Sequence, residues 1–172
     1  FPVSYVCLHN EGEDWMRWPL DGSTDDAPSH DYNMYWPPEQ VVEFLKITPP
    51  ILEAQGMGDV GVAPGETTNW YRFADWGYAH AIADDPEAVE GLGLITSHGF
   101  KGASQGRWYG DWRSLGADII REKRSDLHAW VTSTGWSQMD VWFVNEIRNN
   151  IYCAKVNGII PWACIQRPGK WV

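Results

Sequence analysis

Val3-Ser4-Tyr5-Val6-Cys7-Leu8-His9-Asn10-Glu11 decides the reading of this chain. Val3 to Leu8 is a short and nearly unbroken apolar run, the mark of a strand covered on both faces. It ends at once on three polar groups, His9, Asn10 and Glu11. The same pattern recurs in Val60 to Ala63, Leu92 to Thr96, Leu127 to Thr132 and Gly158 to Cys164, which read as four further strands. Amphipathic stretches separate them. Val41 to Ile47 and Ile51 to Gln55 read as helical pieces broken at Pro49-Pro50. Tyr71 to Ala83 reads as one helix and Trp112 to Arg124 as another, stopped by Ser125-Asp126. Ser137 to Val156 reads as the longest, with Val141, Val144, Ile147, Ile151 and Ala154 on its inner face.

Strands alternating with helices, and apolar throughout, imply an α/β fold of parallel strands covered by helices. The last strand starts fall near residues 60, 92, 127 and 158, the spacing of one strand-helix unit. Each strand ends in groups that can do chemistry: His9-Asn10-Glu11, then Gly65-Glu66-Thr67-Thr68-Asn69-Trp70, Ser97-His98-Gly99-Phe100, Thr132-Ser133-Thr134-Gly135-Trp136 and Pro161-Trp162. Functional groups at the C-terminal ends of parallel strands are the arrangement of a (β/α)8 barrel. Five units are too few to close one. Residues 1–172 are therefore expected to be a partial (β/α)8 domain, its other strands lying before Phe1 or on another chain. An open five-stranded sheet is the competing fold. No strand is followed by GxGxxG or GxxxxGK, so a dinucleotide or P-loop fold is not supported.

With 13 basic and 23 acidic residues the net charge is −10, which argues against nucleic acid. The one basic cluster, Arg121-Glu122-Lys123-Arg124, carries its own Glu and reads as a solvated helix end. No apolar run is long enough to span a membrane. The three cysteines, Cys7, Cys153 and Cys164, form no CxxC pair and read as buried free thiols. No metal or cofactor is implied: His9, Glu11 and His98 lack HExxH spacing, and Asp25, Asp26 and Asp31 fit no EF-hand. The outlying number is 12 Trp. Trp15, Trp18, Trp36, Trp70, Trp108, Trp112 and Trp136 stand beside Gly, Asp, Arg or Asn in turn-like segments. Flat rings beside polar groups suit a ligand with an apolar face and a hydroxyl rim, such as a sugar, though such rings also pack on one another.

Glu11 at the lip of an apolar strand can protonate a leaving glycosidic oxygen, and Asn10 can bond a neighbouring hydroxyl. His98 reads either as a hydroxyl partner or as a satisfied structural histidine. His9 points opposite to Asn10 in a regular strand and is expected to pack rather than react. Arg107 and Trp108 follow the third strand and could line further sugar positions.

At Leu8-His9-Asn10-Glu11 the chain resembles the (β/α)8 glycoside hydrolases, most closely those of the family 30 type. The resemblance covers nearly the whole chain as strands four to eight. It implies a glycosidase acting on a β-linked glycan or glycoside, with Glu11 as general acid/base. It also implies His98 at the sixth strand end, as in His98-Gly99-Phe100, and Trp162 as the floor of a sugar subsite. The sequence departs from the family at strand seven. There a nucleophilic Glu is expected, and Trp130-Val131-Thr132-Ser133-Thr134-Gly135-Trp136 has none, with Thr134 or a neighbour in its place. Glu66, which ends the adjacent strand, is the first candidate for the second carboxylate. A competing reading makes Glu66 the cap of a helix opening near Asn69. A shifted register would bring in Asp111 or Asp140. The remaining alternative is a non-catalytic carbohydrate-binding barrel.

Overall fold

The computed structural model describes residues 2–13, 35–100, 112–134 and 141–162. Among these, five short strands are β1 (Tyr5–Cys7), β2 (Gly61–Ala63), β3 (Ile95–Ser97), β4 (Ala129–Thr134) and β5 (Gly158–Pro161). Six helices lie between them: α1 (Pro38–Ala54), α2 (Trp70–Asp75), α3 (Tyr78–Asp84), α4 (Pro86–Gly91), α5 (Leu115–Lys123) and α6 (Val141–Tyr152).

All strand pairs are parallel. Tyr5 lies against Gly61, Ile95 against Ala129, and Trp130 against Gly158. The β1-β2 pair joins the β3-β4-β5 sheet through the bridges Val62–Leu92 and Thr67–Ser97. The strands thus follow in chain order without reversal. Successive right-handed crossovers in one direction put every helix on the same face, unlike a doubly wound sheet.

That covered face is the core. Val62, Ile95, Ala129 and Val131 pack with Leu45, Phe73, Ala79, Ile82 and Ile120 of the helices, all nearly inaccessible. On the strands' opposite face the rings of Tyr5 on β1 and Trp130 on β4 meet edge to face, centroids 5.4 Å apart. Their strands are three places apart, about 14 Å in a flat sheet. Glycine opens the space: a Cβ at Gly61 would sit 2.7 Å from the Tyr5 ring, and one at Gly158 would sit 2.5 Å from Trp130. A sheet curled toward these rings, an arc of a barrel, accommodates the contact.

The helices differ from expectation in four places. Helix α1 runs through Pro49 and Pro50 without a break. Pro49 leaves the Leu45 carbonyl without its helical donor. Gly91 of α4 packs on that carbonyl so closely that a Cβ would lie 2.2 Å from it. Burial of Val41, Val42 and Leu45 holds the helix in place against the proline penalty. The helix expected over Tyr71 to Ala83 is two, because Gly77 takes φ 92° and opens α3 in the left-handed region. An additional turn, α4, starts on Asp85, whose carboxylate accepts from the Glu87 and Ala88 amides ahead of Pro86 at its first position. Finally, α6 turns a different face inward. Val141 (75% exposed), Val144 and Ile151 face solvent, whereas Phe143 and Asn150 are buried; Ala154, just beyond the helix, is buried as expected.

Cys7 and Cys153 are free and exposed, not buried; Cys164 lies outside the described residues.

Candidate active site

The ends of β1, β2, β3 and β4 converge on one imidazole. Beyond Cys7 the first strand continues as a single bridge, Asn10 to Glu66. Two backbone bonds hold it: Glu11 N–H donates to the Glu66 carbonyl, and Glu66 N–H donates to the His9 carbonyl, each at 2.8 Å. Glu11 itself sits at φ 47°, in the left-handed region that costs an L residue energy and is tolerated where surrounding bonds over-determine it. Its residue is 4% exposed.

His98 follows β3 and is 3% exposed. Its main-chain N–H donates to the Thr67 carbonyl at 2.8 Å. Nδ1 lies 2.6 Å from the Thr132 carbonyl, which can only accept, so Nδ1 carries a proton. Nε2 lies 3.0 Å from Asn10 Oδ1 and 3.6 Å from Glu11 Oε1. Glu66 Oε2 is 3.9 Å from Nδ1. The two carboxylates therefore stand at opposite nitrogens of one ring. Asn10 is exposed while Glu11 is buried, so the site opens on the amide side.

His9 turns away, as the strand alternation implies. Its Nδ1 accepts the Gly12 amide at 3.1 Å, and its ring stacks on Trp36 at 5.5 Å. Burial, with the nearby charge of His98, pulls it down to about 4, so it is neutral at physiological pH. The Gly65 backbone lies against the ring, where a Cβ would come within 2.0 Å of Nε2.

Glu66 does not cap α2. The cap is Asn69, whose Oδ1 accepts the Arg72 amide at 2.9 Å. Trp70 is a correction: it is fully buried in the core, and its Nε1–H donates to Asn150 Oδ1 at 3.0 Å, so it cannot meet a substrate. Trp36 is likewise buried, and Trp112 donates to the Gly99 carbonyl at 2.9 Å. Trp162 follows β5 and is 42% exposed, with its amide bonded to the Thr134 carbonyl at 2.7 Å. Arg107, Trp108, Trp136, Trp15, Trp18, Asp25, Asp26, Asp31, Asp111 and Asp140 lie outside the described residues.

At the end of β4 the described residues offer hydroxyls and no carboxylate. Thr134 is fully buried, and its Oγ1 has no hydrogen-bond partner among the described residues.

Sequence reasoning missed two groups that shape the site. One is Asn150, which binds Trp70 and donates to the Gly99 carbonyl at 3.1 Å, fixing the turn after His98. The other is Glu13, 1% exposed and 3.7 Å from Arg72. Burial pushes its carboxyl up to about 7, partly offset by the Thr68 amide and Arg72. Neither carries a sequence signal, since a Glu in a polar loop and an Asn in a helix normally face water.

Two solved structures share this fold. A GH30 endoxylanase from Clostridium papyrosolvens C71 superposes with TM-score 0.61 at 14% identity, over 92% of this chain and 33% of its own. SrfJ from Salmonella typhimurium superposes with TM-score 0.57 at 14% identity, over 94% of this chain and 33% of its own. This chain thus spans about a third of each. At that identity the likeness is one of fold, that of a partial barrel-type enzyme domain. No protein-family model and no curated protein matches the chain.

Proposed function

We propose that this chain is the C-terminal part of a (β/α)8 glycoside hydrolase acting on a β-linked glycan or glycoside. Glu11 is the general acid that protonates the leaving oxygen, and Glu66 is the base that activates water. The observation that carries the reading is the pair of carboxylates at the two nitrogens of the buried His98 ring. Carboxylates held apart with a water between them suit inversion, whereas adjoining ones suit a covalent intermediate. Asn10 and His98 bond sugar hydroxyls. Trp162 offers a ring face, and Arg107, Trp108 and Trp136 are the residues proposed to bind further sugar units.

The remaining strands come from sequence before Phe1 or from another chain. Apolar side chains on the β1 side of the arc support this: Ile47 and Ile51 on α1 are exposed.

A second reading, a carbohydrate-binding barrel without catalysis, is favoured by Thr134 where a strand-end carboxylate is expected. One experiment separates the two. The complete protein is incubated with xylan, chosen because one structural neighbour is an endoxylanase, and with other β-glycans, and reducing ends are measured. Release that disappears in Glu11→Gln while sugar binding persists supports hydrolysis. Binding without release in the unmodified protein supports the second reading.

A further inference from the structure

The segment that follows Glu11 folds back onto the loop that follows Glu66. Glu13, two residues beyond Glu11, places Oε1 2.5 Å from the main-chain N–H of Thr68, two residues beyond Glu66. Below this contact lie the two backbone bonds between residues 9–11 and Glu66. Glu11 and Glu66 are therefore enclosed between a backbone ladder on one side and a carboxylate–amide bond on the other. The same loop meets the rest of the site through the Thr67 carbonyl, which accepts from the His98 amide and from Ser97 Oγ.

Stability alone does not explain a charge in this place. Glu13 and its neighbour Arg72 are both essentially inaccessible, and replacing such a pair with apolar groups is often neutral or stabilising. Burial already opposes ionisation of the Glu13 carboxyl. Such a group is better explained by the geometry it imposes. Arg72 is itself braced: its guanidinium stacks over the Trp76 ring at 4.5 Å, and its amide is held by Asn69. The Glu13 carboxylate thus reaches from a fixed cation to a fixed amide.

We infer that Glu13 is a positioning residue that sets the separation and aim of Glu11 and Glu66 through its bond to the Thr68 amide. The inference rests on the reading of Glu11 and Glu66 as the working pair. Its contribution is reach: the side chain must be long enough to span from the β1 end to Thr68, and its charge against Arg72 is secondary.

Two variants of the complete protein separate reach from charge. Glu13→Asp keeps the charge and shortens the side chain by one methylene. Glu13→Gln keeps the length and an acceptor for Thr68. The readout is the titration of the His98 imidazole by NMR, which senses both carboxylates, with thermal stability measured alongside. Glu13→Asp is expected to shift the His98 titration by about half a pKa unit or more and to lower turnover about tenfold. Glu13→Gln is expected to leave the titration in place even where it lowers the melting temperature. An unmoved His98 in Glu13→Asp, or an equal shift in both variants, overturns the inference. On the unmodified protein, the Thr68 amide proton is expected far downfield and slow to exchange; an ordinary shift with rapid exchange also overturns it. If the unmodified protein cleaves no glycan while Glu13→Asp still moves His98, the hydrolase reading fails and the positioning role stands.

Discussion

The Glu11 amide donates to the Glu66 carbonyl at 2.8 Å, so the two acidic residues are neighbours across adjacent strand ends although 55 positions separate them in the chain. Their side chains reach opposite nitrogens of His98. Parallel strands bring this about, because a crossover returns every strand to the same end of the sheet and stacks successive strand ends side by side.

The role proposed for Glu66 predicts the stereochemistry of the product. With Glu66 activating water rather than attacking carbon, a β-linked substrate is expected to give the α-anomer first, read by proton NMR within the first turnovers. A β-anomer as first product would remove Glu66 from the role of base. Glu66→Gln is expected to lower kcat by about 10²- to 10⁴-fold, the ordinary size of a general-base contribution. A smaller effect would point to another group.

Stability is expected to respond to pH through two buried groups of opposite sign. His9 falls from 6.5 to about 4 on folding, so between those values the unfolded chain binds more protons and acidification destabilises the fold. Glu13 rises from 4.5 to about 7, so between those values the folded chain binds more protons and acidification stabilises it. Each contribution is up to about 3 kcal/mol, and the two oppose each other from about pH 4.5 to 6.5. In urea titrations across that range, Glu13→Gln is expected to make stability rise more steeply with pH than in the unmodified protein. His9→Phe is expected to make it rise less, or fall. Parallel pH curves for all three proteins would contradict both assignments.

Gly65→Ala is expected to cost about 3 kcal/mol, combining a clash with backbone strain. The residue holds φ 139°, and its Cβ would lie 2.0 Å from His9 Nε2. The control is Gly56→Ala, also at positive φ (74°) but with nothing within 4 Å of the new atom. It is expected to cost only the left-handed strain, about 1–2 kcal/mol. Equal losses in chemical denaturation would mean that the His9 ring gives way freely.

The strands were legible because unbroken apolar runs such as Tyr5–Cys7 and Ala129–Val131 have little other use in a polar chain. Their polar ends were legible for the same reason, and they include Asn10, Glu11, Glu66 and His98. What was not legible depended on partners distant in sequence. Pro49 and Pro50 read as a break because nothing local shows that Gly91 will cover the Leu45 carbonyl. Gly77 is one glycine among 17, and only the packing of Tyr78 and Ile82 makes it a helix boundary. Trp70 read as a loop ring because its neighbours Thr68 and Asn69 are polar, yet those residues are themselves buried in the turn that caps α2. Hydrophobicity likewise selected the wrong face of α6, since the side chain that anchors it is an amide.

That last inversion gives a test against intuition. Asn150 is fully buried and bonds the Trp70 indole, the Gly99 carbonyl and the Glu146 carbonyl. Val144 on the same helix is 62% exposed. Asn150→Ala deprives Trp70 and Gly99 of a buried partner and is expected to cost about 2–6 kcal/mol, about one to three kcal/mol for each group stranded. Val144→Ala, an apolar truncation that a hydrophobicity pattern would rank as worse, is expected to stay within about 0.5 kcal/mol. Gly99 directly follows His98, and a Cβ on it would lie 2.4 Å from Asn150 Oδ1. Asn150→Ala is therefore also expected to loosen the turn beside the imidazole, seen as faster exchange of the Gly99 amide and a displaced His98 ring resonance. Equal stability losses in the two variants, or an unmoved His98 signal in Asn150→Ala, would show that α6 is held by its apolar stripe and that the site does not depend on this amide.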